Sequence, residues 1–72
     1  MSKSPAYTPK NLIRLLERNG FVLDRIKGSH QIYLHIEKKL RAVVPMHTRD
    51  IPTGTLHAIL KQAGIDKKEL FL

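Results

Sequence analysis

"FVLDRIKGSHQIYLHI", Phe21 to Ile36, sets two strand-like runs on either side of Gly28 and Ser29. In the first, Phe21, Leu23, Arg25 and Lys27 alternate with Val22, Asp24 and Ile26, a period of two that reads as a short strand lying across a core. In the second, His30, Ile32, Leu34 and Ile36 share one face, while Gln31, Tyr33 and His35 share the other. A third run, Leu40 to Pro45, follows the turn-like "EKK". It places Leu40, Ala42 and Val44 together and ends where Pro45 can donate no ladder hydrogen bond. Connections this short make an antiparallel meander rather than a parallel sheet.

Both flanks of the meander are helical in pattern. Upstream, Thr8 is a good N-cap, Pro9 suits a first turn, and Leu12, Ile13, Leu15 and Leu16 recur at helical spacing until Gly20, which predicts a helix over Pro9 to Asn19. Downstream, Leu56, Ile59, Leu60 and Ala63 form one stripe, with Pro52 as a first-turn residue and Gly64 as the stop. "DKKE" then has capping-box spacing, Asp66 as cap and Glu69 three residues on, ahead of Leu70, Phe71 and Leu72. A short helical turn is expected over 66–72. The order helix-strand-strand-strand-helix predicts an α+β fold, a three-stranded antiparallel sheet covered on one face by two helices that bury the Ile32, Leu34 and Ile36 row. Residues 1–72 read as a single domain whose first seven residues are a flexible polar lead.

At 72 residues such a domain buries only roughly 60 % of the surface its unfolded chain exposes. It has no cysteine, so no disulfide or thiolate-metal staple is available and nothing points to an oxidising compartment. "MSKSPAYTPK" lacks the apolar core of a secretory signal, and no apolar run is long enough to cross a bilayer. A soluble, cytoplasmic protein that uses no membrane is expected. Thirteen Lys and Arg against six Asp and Glu give a formal charge of +7, which favours a polyanion or an acidic protein as partner.

Strand direction alone gathers part of that charge. In a meander the end of the first strand, the start of the second and the end of the third share one sheet edge, so Lys27, His30 and His47 should cluster. The first helix is expected to run back against the first strand, bringing Thr8 and Lys10 to the same edge, and the second helix starts close by. Helix N-termini add free N–H groups and partial positive charge that favour phosphate. Two other histidines have plainer readings. His35 reads as a solvent-facing mid-strand residue without a role, and His57 as a boundary residue packing its ring beside the stripe of the second helix.

The residues at this edge narrow the chemistry. Glu17, Asp24, Glu37, Asp50, Asp66 and Glu69 are scattered, so neither a zinc site nor a two-metal carboxylate site finds its ligands, and no metal is expected. No phosphate-binding P-loop or dinucleotide fingerprint occurs, and no cofactor is expected. Ser29 and His30, adjacent on an extended chain, would point to opposite faces, which weakens a serine-nucleophile reading. Outside its stripe the second helix offers only His57, Lys61 and Gln62, a poor base-reading set for DNA. RNA suits the edge better. Its own 2′-hydroxyl is a nucleophile held beside the scissile phosphate, so the protein needs only to move protons and stabilise charge. Histidine, whose ordinary pKa lies near neutrality, can do the first, and lysines and helix amides the second. The same features also suit a module that binds duplex RNA by shape without cutting it, or a surface for an acidic protein.

"LIRLLERNGF", "KGSHQIY", "VVPMH" and "GTLHAILKQAGI" stand in the order and spacing of the HicA toxin family, also called YcfA-like, and the chain resembles that family from about Pro9 to Leu72. The resemblance implies a double-stranded-RNA-binding-like fold and the toxin of a type II toxin–antitoxin system, a stress-response endoribonuclease that cleaves mRNA and is neutralised by a HicB-like antitoxin. It implies His30 of the Gly-Ser-His motif as the catalytic residue, with Lys27, Gly28 and Ser29 beside it. Many members carry a second histidine where this chain has Gln31, which by strand parity faces away from His30. Catalytic participation of His47 and phosphate binding by Lys10 come from the topology.

Overall fold

Thr8 starts the first helix as its residue type predicts: its Oγ1 accepts a hydrogen bond from the Asn11 N–H at 3.1 Å, and α1 runs Pro9–Arg18. The structure, a computed structural model, describes residues 7–71, so residues 1–6 of the expected lead and Leu72 of the expected C-terminal turn lie outside it. Asn19, read as the last helical residue, is instead the cap. Its Nδ2 donates to the Leu15 carbonyl at 2.9 Å and to Glu69 Oε1 at 3.1 Å. Glu69 is therefore spent on Asn19 rather than on a reciprocal capping box. Asp66 accepts from the Lys68 N–H at 2.9 Å and leads a 3₁₀ turn, Lys67–Phe71.

The strands are β1 Val22–Lys27, β2 His30–His35 and β3 Leu40–Pro45, antiparallel in the order β1-β2-β3. Helix α2, Thr53–Ala63, follows, with Pro52 at its cap rather than in its first turn. Both helices pack on the sheet through β3, not β1, which corrects the expected docking of the first helix against the first strand. That leaves β1 exposed along its length instead of lying across the core. Only Phe21, just ahead of it, is buried. A bulge between Leu23 and Arg25 and the charges of Asp24, Arg25 and Lys27 guard this open edge against pairing with other chains.

The face of β2 that the helices cover is the opposite of the one its alternation suggested. Tyr33 packs with Ala42, Val44, Leu12, Leu16 and Leu60 in the core, whereas Ile32 is buried outside that cluster and Ile36 is 68 % exposed in the turn beyond the strand. Register gives the reason. Tyr33 stands opposite Ala42 and Gln31 opposite Val44, so the inward face of β3 carries Tyr33 with it.

On the uncovered face the same register makes three cross-strand rows: Lys27, His30 and Pro45; then Arg25, Ile32 and Val43; then Val22, Leu34 and Arg41.

Candidate functional site

Gly28 and Ser29 close the β1–β2 hairpin in two residues, with Lys27 opposite His30. Gly28 has φ +60 and open space where a Cβ would stand, while Ser29 is not in the left-handed region. A glycine first and an ordinary residue second is what a II′ hairpin turn requires. His30 is thereby delivered to the first position of β2, exposed beside the turn.

The end of β3 is tied to the same turn. The Met46 N–H donates to the Ser29 carbonyl at 2.7 Å, one residue past the His30–Pro45 pair. The chain then places His47 with Nδ1 at 3.4 Å from Ser29 Oγ, where hydroxyl and ring nitrogen can each donate or accept. The imidazoles of His30 and His47 stand edge to face, ring centroids 5.9 Å apart and planes at 65°. The expected meeting of Lys27, His30 and His47 at one sheet edge is thus present. The contact of Ser29 with His47 was not foreseen, because parity fixes directions on strands and Ser29 belongs to a turn.

The two helix starts are joined through the loop that follows His47. The Ile51 N–H donates to the Tyr7 carbonyl at 2.7 Å, which joins the lead-in of α1 to the loop between His47 and α2. Among the described residues no side chain caps α2, so its first N–H groups add positive potential to the loop end. Lys10 is exposed on the first turn of α1, and among the described residues no hydrogen bond or ion pair ties it to the histidines. Among the described residues no third His, Cys, Asp or Glu joins the imidazole pair.

The remaining histidines diverge from their plain readings. His35 is half-buried rather than solvent-facing. Its ring meets Phe21 edge-on at 5.5 Å, and its Nδ1 accepts the Lys38 N–H at 3.1 Å, pinning the β2–β3 turn. His57 is exposed on α2 and packs no ring into the core. Tyr33, between the two ends of β2, donates its hydroxyl to Gln31 Oε1 at 3.0 Å, and burial, then the Glu17 carboxylate, raises its pKa above the ordinary phenol value.

Residues 9–65, most of the chain, match the family model described as the HicA toxin of bacterial toxin–antitoxin systems. The match takes in both helices, all three strands and the histidine pair, and ends before the 3₁₀ turn. The comparison with curated proteins returns no match.

Proposed function

The chain belongs to the HicA toxin family of bacterial toxin–antitoxin systems, and from that premise we propose that it is a metal-independent endoribonuclease of the cytoplasm that cuts mRNA. Membership makes it the toxin of such a pair, with an antitoxin as its partner. In the proposed reading that antitoxin is HicB-like and covers the basic edge. The observation that carries the proposal is the pairing of two imidazoles, 5.9 Å apart, at a lysine-bearing sheet edge.

A pair so spaced can flank one phosphodiester. One imidazole, His30 in this reading, takes the proton from the ribose 2′-hydroxyl as its oxygen forms a bond to phosphorus. The P–O5′ bond breaks, and His47, as imidazolium, gives its proton to the departing oxygen. The products are a 2′,3′-cyclic phosphate and a 5′-hydroxyl, with no external nucleophile consumed. Lys27 and the turn around Gly28 and Ser29 hold the phosphate, Lys10 reaches it from α1, and the Ser29 hydroxyl orients the His47 ring. No cofactor enters the scheme.

The deciding experiment incubates the protein and its His30→Ala variant with a long single-stranded RNA in EDTA across acid to neutral pH. Fragments from the parent alone, with cyclic-phosphate ends, are expected, and His30→Ala should cut at least about 10²-fold more slowly. Equal cutting by both proteins would remove His30 from the mechanism. Intact RNA with a gel shift in both would leave a binding module in place of a nuclease.

A further inference from the structure

The nuclease reading uses one row of the uncovered sheet face and leaves the rest without a role. The next row sets Arg25 beside Ile32 and Val43, and the third ends in Arg41. No acidic residue stands in the three rows. Asp24, in the bulge, holds Arg25 Nε at 3.0 Å in an exposed pair that a phosphate can displace. Successive rows on one face are about 7 Å apart, so the face runs roughly 13 Å from His30 to the level of Arg41. Alongside Arg41 and Val43, at the β3 edge, lies a groove of about 310 Å³ lined also by Lys39, Leu40 and Gln62, which adds another cation.

We infer that this face is the track of a single RNA strand, running from the histidine pair past Val43 and Leu34 to Arg41 and the groove at the β3 edge, an assignment that rests on the nuclease reading above. Cations along the margins, with an aliphatic centre of half-buried Leu34 and Val43 over the buried Ile32, match a ligand that carries phosphates and also exposes apolar base surface. Unpaired bases have such surface to offer, whereas a duplex presents its backbone and leaves the aliphatic centre unused. The face is continuous with His30, so a strand held there is already in line with the cutting edge. A strand-adding protein segment would pair along a sheet edge, at the bulged β1 or at β3, and would leave the side chains of this face unused.

The test uses the full chain carrying His30→Ala, so that the probe survives, and a short fluorescent single-stranded oligoribonucleotide titrated at several salt concentrations. Arg25→Gln and Arg41→Gln should each weaken binding several-fold and reduce the slope of log affinity against log salt by about 0.7. Lys61→Gln, the same charge change on the exposed side of α2, should leave both unchanged. In the active chain Arg41→Gln should raise KM and spare kcat.

Parent-like affinity and salt slope in both arginine variants, with the active parent still cutting RNA, would overturn the track and leave the nuclease reading standing. A parent that neither binds nor cuts RNA would overturn both. Equal affinity for a duplex of the same sequence, lost in the same variants, would overturn the single-strand assignment. Tighter binding of poly-glutamate than of RNA, lost with Arg41→Gln, would reassign the face to an acidic protein.

Discussion

The two ends of β2 each begin or finish with a histidine, and the two rings have opposite duties. At one end His30 is exposed, touches His47 and belongs to the face opposite the one that α1 and α2 cover. At the other His35 is half-buried, packs against Phe21 and accepts a backbone N–H at its Nδ1. Parity separates them, because odd and even positions of a strand point to opposite sides. An imidazole is thus a reagent or a wedge according to which side of one strand it occupies, and its neighbours decide the rest.

The sharpest way to break this contrast is Gly20→Ala. Gly20 has φ +89, and a Cβ there would lie 2.9 Å from His35 Nε2, with a ring held in place by Phe21 and by the Lys38 N–H. Left-handed strain and overpacking together should cost about 2 to 3 kcal/mol in urea unfolding. Part of that loss should be recovered when His35→Ala is added, since the close contact then disappears. Recovery of nothing would mean that backbone strain alone sets the cost.

His35→Ala by itself should lower stability by about 2 kcal/mol, through the lost ring contact and the lost acceptor for Lys38, yet leave cleavage per folded molecule unchanged. His30→Ala should do the reverse, holding the unfolding midpoint while cleavage falls. If both variants shift the midpoint equally, the division of labour along β2 is wrong. The smallest effect belongs to Tyr33, whose raised phenol pKa means that the folded state resists ionisation. Its contribution is intact below the unfolded phenol value of about 10 and is lost as pH climbs from there through the folded value. Stability should therefore fall in strong alkali, and Tyr33→Phe should flatten that fall while costing about 1 kcal/mol at neutral pH through its lost hydrogen bond.

Much of this arrangement was readable from residue types. The cap at Thr8, the turn at Gly28 and Ser29 and the bounds of β3 follow from local chemistry, and the meeting of His30 with His47 follows from meander topology. The covered face of β2 was not readable. A central strand with Ile32 and Leu34 on one side and Tyr33 on the other is apolar both ways, so its period cannot choose. The choice is made across the sheet by Ala42 and Val44, where helices can approach. The exposure of β1 escaped for a related reason, since Val22, Leu23 and Ile26 look like core residues until both helices commit to β3. At the site, the reach of Ser29 to His47 depended on a turn hydroxyl whose direction no alternation encodes.

The bond from Met46 to the Ser29 carbonyl has a consequence for the order in which a growing polypeptide becomes dangerous. The hairpin that bears His30 leaves the ribosome first, and until the third strand has followed and docked, that imidazole has no counterpart. On the proposed chemistry, a nascent chain halted before residue 47 is harmless to the message that encodes it. Competence arrives only when the sheet is complete, which leaves the time needed to make the rest of the protein for an antitoxin to be waiting.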